Sequence, residues 1–136
     1  MESKDAEKAV VNQGAKQVSI LPGQTAEELK ELLGGGVEIV TADGKTAENG
    51  GSVGTGAVVK TADGAEFTVV VPGDVDGDGR VKATDARAAL RAASRIDTLN
   101  GAYAKAADIS GDAKVKAGDA RTVLRVAAKL ETMKLK

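Results

Sequence analysis

Seven aspartates in the second half of this 136-residue chain are spaced for hard-cation chemistry. Asp74, Asp76 and Asp78 alternate along the chain, Gly77 and Gly79 interleave with them, and Asp85 follows. Asp108, Ser110 and Asp112 alternate again and Asp119 follows, each set starting and ending 34 residues from its counterpart. Oxygen side chains at loop positions 1, 3, 5 and 12, with a backbone carbonyl at position 7, are the donor spacing of a twelve-residue calcium loop. The first loop offers Asp74, Asp76, Asp78, the carbonyl of Arg80 and Asp85, with Gly79 at position 6 for the sharp turn. The second offers Asp108, Ser110, Asp112, Lys114 at the carbonyl position and Asp119. It is the weaker site, because Ser110 replaces a carboxylate and Ala113 stands where a positive φ favours glycine. Lys82 and Lys116 occupy position 9 and leave that place to water. One acidic loop arises easily by accident; a copy in register does not. Two bound Ca²⁺ ions are expected, both structural, since no second functional group accompanies the ligands.

These donors need elements to hold them. Helices are expected over Ala83–Arg95 and Ala117–Leu130, and residue-by-residue alignment of the two segments is close. Between them, a turn at Leu99-Asn100-Gly101 leads into a short helical connector near Ala102–Ala107. A strand and Pro72-Gly73 enter the first loop, not a helix, so each repeat is a loop followed by one helix. Val81 and Val115, both at position 8, are expected to pair in a small two-stranded contact. Helical spacing puts Arg87, Arg91 and Arg95 in one stripe and Arg121, Arg125 and Lys129 in its mate. Ala86, Ala89, Leu90 and Ala93, with Val123, Leu124 and Ala127, are expected to pack inward. A cationic helix stripe is most often a solvated face; its presence in both copies and the frequency of arginine at interfaces favour recognition here.

Upstream, residues 1–16 are polar and weakly patterned, and a mobile lead-in is expected. Gln17–Leu21 reads as a strand ending at Pro22-Gly23. Thr25 with Glu28 three residues on is a capping-box signature for a helix over Ala26–Leu33, stopped by Gly34-Gly35-Gly36. Strands are expected over Val37–Val40, Val53–Lys60 and Glu66–Val71, with turns at Asp43-Gly44 and Asp63-Gly64. The expectation is a β-α-β-β-β domain over 17–72, followed by residues 73–136.

Composition agrees with metal-assisted folding. Apolar residues are mainly Ala and Val, and the aromatics are Phe67 and Tyr103 with no Trp. Such small side chains bury little area each, and domains this small usually need a staple. With no Cys and no His, disulfides, thiolate sites and imidazole sites are excluded, which leaves carboxylate-bound calcium. The formal charge of −1 divides unevenly: residues 1–72 carry −5 and residues 73–136 carry +4. Seven of the nine acids in the second half are the expected ligands, so with two Ca²⁺ its net charge approaches +8. That field favours an acidic partner and salt-sensitive association.

A strand, then Gly73-Asp74-Val75-Asp76-Gly77-Asp78-Gly79, then loop-helix, linker and loop-helix resembles a type I dockerin over about residues 73–131. Leu99-Asn100 and Ala106-Ala107-Asp108 sit where dockerin linkers carry similar residues. The resemblance implies an α+β chain: a small β-rich N-terminal domain followed by an all-α dockerin of two calcium loop-helix (F-hand) repeats. The preceding domain resembles, more loosely, the X modules that accompany some dockerins. Dockerins bind cohesin modules of scaffold proteins and so assemble enzymes or further scaffolds into extracellular cellulosome-like complexes for polysaccharide degradation. The partner implied is thus a cohesin with an acidic surface, the chain itself being secreted or held at a cell surface through a scaffold and monomeric when unbound. In dockerins, loop positions 10 and 11 and helix positions near 18 and 22 usually set specificity. Here those are Ala83, Thr84, Arg91 and Arg95, and Ala117, Gly118, Arg125 and Lys129. The near-symmetry of the copies would allow docking in two orientations about 180° apart, with the mismatches Thr84/Gly118 and Arg95/Lys129 biasing one of them.

Rival readings are weaker. An enzyme lacks a nucleophile–base constellation and a phosphate-binding glycine loop before a helix. Nucleic-acid binding would use the arginines but has no stacking aromatics to accompany them. A carbohydrate platform would rest on Phe67, which alternates into a strand as a core residue. A calcium sensor opens a Met-rich groove, whereas Met1 and Met133 are terminal, and no apolar run is long enough to span a membrane. The remaining alternative is another extracellular calcium-stabilised adhesion or carbohydrate-associated module that does not bind cohesin.

Overall fold

The structure is a computed structural model that describes residues 3–5, 7–48, 50–99, 101–130, 132, 133 and 135. Asn100, part of the expected turn, and Met1 lie outside the described residues. The elements run β1 (Ala9–Asn12), β2 (Gln17–Ile20), α1 (Ala26–Leu32), β3 (Glu38–Val40), β4 (Val58–Lys60), β5 (Glu66–Val70), α2 (Ala83–Ala93), α3 (Gly101–Ala107) and α4 (Ala117–Ala127).

The five strands form one sheet in the order β1-β2-β5-β4-β3, with β2 parallel to β5 and the other neighbours antiparallel. β1 corrects the expectation of a mobile lead-in. Its Ala9 is fully buried and pairs with Ile20, and Lys4 N donates to the carbonyl of Leu32 at 2.8 Å. Four residues with one buried apolar side chain give too short a period-two signal to stand out from a charged segment.

Helix α1 starts as its capping box requires. Thr25 Oγ1 accepts from Glu28 N at 3.2 Å, and the Glu28 carboxylate accepts from Thr25 N at 3.4 Å. Its Ala26, Leu29 and the following Leu33 close over Val18, Ile20, Ile39, Val59, Phe67 and Val69, the core of the sheet. Phe67 is a core residue at 2 % exposure, so no aromatic platform is formed there. On the other side of β5, Val70 packs against Ala102 and Ala106 of α3.

The strand expected over Val53–Lys60 is shorter than its apolar pattern suggests. Only Val58–Lys60 is strand; Gly56 and Ala57 still bond to Val69 of β5 at 3.0 and 2.7 Å, whereas residues 53–55 are buried against the first acidic loop. Gly54 and Gly56 are the cause. A Cβ at Gly54 would lie 2.0 Å from the Gly77 carbonyl oxygen, and Gly56, at φ +95°, sits beneath the Tyr103 hydroxyl.

In the second half, α2 and α4 pack on each other, with Ala89, Ala120 and Val123 buried. Both helices are shorter than expected. α2 stops at Ala93 and α4 at Ala127, because Arg95 (φ 62°) and Lys129 (φ 63°) turn left-handed just beyond. Ile96 N then donates to the Arg91 carbonyl and Leu130 N to the Arg125 carbonyl, at 2.9 and 2.8 Å, the bonding of a Schellman stop.

Candidate metal centres and docking face

Each acidic loop is folded around its own carboxylates. In the first, Asp74 Oδ1 accepts from the N–H groups of Gly77 and Asp78 at 3.0 and 3.1 Å, and Asp74 Oδ2 from Gly79 N at 2.8 Å. Asp85 Oδ1 accepts from Val75 N and Asp76 N at 2.9 and 3.0 Å. Its Oδ2 accepts from Lys82 N at 2.8 Å and so caps the start of α2. The second loop repeats the scheme: Asp108 Oδ2 accepts from Ala113 N at 2.8 Å, and Asp119 from Ser110 N and Lys116 N at 3.0 and 2.9 Å.

The result is two acidic clusters able to coordinate a metal ion: Asp74, Asp76, Asp78 and Asp85, and Asp108, Asp112 and Asp119. Within each, one oxygen per residue lies within 4.8 Å of the others. Oxygens ligating one Ca²⁺ at roughly 2.3–2.6 Å can stand no more than about 5 Å apart, so the spacing fits. The donors are hard oxygens, as calcium requires. Ser110 Oγ stands beside the second cluster and donates to Asp108 Oδ1 at 3.3 Å.

Burial sets the electrostatics of the first cluster, and a bound cation would offset it. Asp74 and Asp85 are fully buried. Burial pushes Asp74 up to about 7 and Asp85 up to about 6, against the help of the backbone N–H groups they accept from. Asp78 behaves oppositely. Burial alone would raise it, but the Lys82 ammonium at 2.7 Å, the Arg80 N–H and its neighbouring aspartates hold it at about 2. In the second loop Lys116 sits 2.5 Å from Asp112 and holds that carboxyl well below the usual range. The position-9 lysines therefore grip the outer carboxylate of each loop, a role their sequence position does not announce.

Ala113 has φ 71°, so the second loop keeps the left-handed turn at position 6 despite its Cβ. Among the described residues no β-bridge joins Val81 to Val115. Val81 packs against Gly73, where a Cβ would meet its methyls at 3.0 and 3.4 Å and the Met133 methyl at 2.9 Å. Val115 lies instead at the margin of a cluster with Val75, Ala89, Ala107 and Ala120.

The helix faces also need correction. Ala83, Thr84, Arg87, Ala117, Gly118, Arg121 and Arg125 are exposed as expected, and Arg91 is half-buried. Arg91 Nε pairs with Asp97 Oδ2 at 2.6 Å. Arg95 and Lys129 are exposed but lie past the helix ends, so neither stripe continues on helical geometry to its third cation. Leu90 and Leu124 do not pack inward: they are 48 % and 50 % exposed, and Ile96 and Leu130 are 63 % and 67 % exposed. One residue is about 100° around a helix. Leu90 and Leu124 therefore stand one step beyond the buried Ala89 and Val123, between the helix–helix contact and the cations. Alanine-rich contact faces let the helices meet without the leucines. The signal was present in the sequence: both copies spend a large apolar residue at the same edge position.

Two contacts to the first loop carry no motif of their own in the sequence. Thr55 N donates to Asp74 Oδ2 at 2.9 Å, and Gly23 N donates to the Gly79 carbonyl at 3.1 Å, so residues from before β4 and α1 touch the first loop. The interrupting glycines at 54 and 56 were the trace of that approach.

No helix among the described residues is long and apolar enough to cross a membrane. No curated protein matches the chain. Residues 72–126, which take in both acidic loops and nearly all of α4, match the family model for the dockerin type I domain. This stretch of the chain is accordingly a dockerin type I domain, a calcium-associated module for protein–protein interaction.

Proposed function

We propose that the chain docks its parent protein onto a cohesin of a cellulosome-type scaffold outside the cell, with residues 73–136 as the dockerin and the preceding sheet domain as an X-module-like spacer. Two Ca²⁺ ions organise a pair of F-hand repeats. Asp74, Asp76, Asp78, the Arg80 carbonyl and Asp85 hold the first. Asp108, Ser110, Asp112, the Lys114 carbonyl and Asp119 hold the second. Bound calcium supplies the positive charge that lets Asp74 and Asp85 stay ionised while buried, and so locks the start of each helix to its loop.

The observation that carries this reading is the doubled face. Equivalent residues of α2 and α4 put Arg87 with Arg121, Arg91 with Arg125, and Leu90 with Leu124 at the surface, bordered by Ala83-Thr84 and Ala117-Gly118. Exposed leucines beside arginines combine desolvation with charge steering, and an acidic, partly apolar cohesin surface complements them. Arg95 and Lys129 extend each face at the helix stops.

The test is calorimetry against a panel of cohesins, in Ca²⁺ and in chelator, with Arg91→Glu and Arg125→Glu examined separately and together. Calcium-dependent binding that survives either single reversal and is lost in the double supports docking in two orientations. Loss on one reversal alone rejects the two-orientation reading, and no binding to any acidic-faced cohesin counts against cohesin as the partner.

A further inference from the structure

Both acidic loops share one internal scheme, yet their surroundings differ. Asp74 Oδ2 accepts from Gly79 N and also from Thr55 N. Its counterpart Asp108 Oδ2 accepts from Ala113 N and, among the described residues, from no donor of the sheet domain. A Cβ at Gly77 would fall 2.8 Å from the Thr55 carbonyl oxygen, and one at Gly79 would fall 2.8 Å from Ser52 Cβ and 3.2 Å from the Val53 carbonyl oxygen. A Cβ at Gly111 of the second loop would meet nothing within 4 Å. Asp74 is fully buried, whereas Asp108 is half-buried.

We infer that residues 52–56 of the sheet domain are a positioning element for the first calcium loop, so that the first ion closes a clasp between the two halves of the chain. This rests on the calcium reading of that loop. The chain of contact is short. Thr55 Oγ1 donates to the Val71 carbonyl and accepts from Val71 N at 3.0 Å, which fixes residue 55 to the end of β5. From there its N–H sets the Asp74 carboxylate, and Gly23 N holds the far side of the loop at Gly79. Gly54 lets the two backbones meet; its own φ is not left-handed, so its glycine answers to space and not to backbone conformation. Coupling of this kind is reciprocal. The sheet domain raises the affinity of the first site, and calcium there protects the 52–57 segment. The second site stands outside the clasp.

The experiment is an NMR titration of the full chain with CaCl₂, in which the Gly77 amide reports the first loop and the Gly111 amide the second. It is paired with amide hydrogen exchange at Thr55 with and without calcium. Gly54→Ala places a methyl in the backbone of the first loop. It is expected to weaken calcium at that loop on the order of tenfold and to leave the Gly111 response unchanged. Gly50→Ala, with nothing within 4 Å of its Cβ, is the control and should match the wild type at both loops. Calcium should slow exchange at Thr55 in the wild type. Unchanged first-loop affinity in Gly54→Ala, or a Thr55 amide indifferent to calcium, overturns the clasp while leaving two calcium sites in place. A wild type in which neither glycine responds overturns the calcium reading and the clasp with it. Should Gly54→Ala fail to fold, exchange at Thr55 in the wild type decides alone.

Discussion

Arg95 and Lys129 hold the left-handed residue after α2 and α4, at φ 62° and 63°, where glycine is the usual helix stop. A side chain there costs about 1–2 kcal/mol of steric strain. Replacing it by glycine also frees the unfolded chain and gives back about 0.4–1 kcal/mol. The net gain expected for Arg95→Gly or Lys129→Gly is therefore about 0.5–1 kcal/mol each. For a chain of this size that is a rise in Tm of roughly 2–4 °C per site, read by thermal melting in saturating calcium. The same substitutions each remove a cation from the proposed docking face. Partner binding should weaken by about 1 kcal/mol per engaged cation, or roughly fivefold, most clearly in the double variant if either face can dock. Stability and binding thus move in opposite directions. A fall in Tm would refute the reasoning, by showing that the side chains make contacts in the fold that exceed the strain. A rise in Tm with unaltered cohesin affinity would refute their role in docking.

Two further outcomes follow from the site and its face. Asp74 and Asp85, held near 7 and 6 by burial, bind protons in the calcium-free fold where an unfolded aspartate, near 3.9, is already ionised. Since the folded state then holds more protons than the unfolded one, the chelated protein should lose stability as pH rises from about 4 to about 7. The carboxylates held low, including Asp78 and Asp112, titrate below that window. Calcium displaces those protons, so its affinity at the first loop should climb over the same range; a chelated Tm that rises from pH 5 to pH 7 would contradict this. Leu90→Ala and Leu124→Ala, at half-exposed positions, should change stability by about 0.5 kcal/mol or less and weaken cohesin binding by about 1 kcal/mol or more. A large loss of stability would place these leucines in the core after all.

Local rules carried the sequence reading furthest. The Thr25–Glu28 capping box, the Gly34–Gly36 stop and the starts of α2 and α4 depend on residues within one turn of each other, and the structure contains them. The acidic clusters were legible because the donor spacing is local and duplicated. What escaped depends on distant partners. β1 needs β2 to be a strand at all. The segment before β4 reads as strand from Val53 and the β-branched Thr55 but is diverted by a loop some 20 residues on, as the bond between residues 55 and 74 shows. The inward assignment of Leu90 and Leu124 followed apolar periodicity. It failed because an alanine-rich contact face fills the space between the helices without them. The expected third cation of each stripe was misplaced by two residues of helix, the level at which helix ends are least readable.

The most direct test of the account is calcium titration of the whole chain by calorimetry, with circular dichroism recorded on the same samples. Two binding events with a gain in helicity are expected, because each loop brings one oxygen from every carboxylate of its cluster within 4.8 Å of the others and each helix carries an aspartate of that cluster in its first turn. Calcium that changes neither heat nor dichroism would contradict the central claim that this dockerin domain is organised by metal.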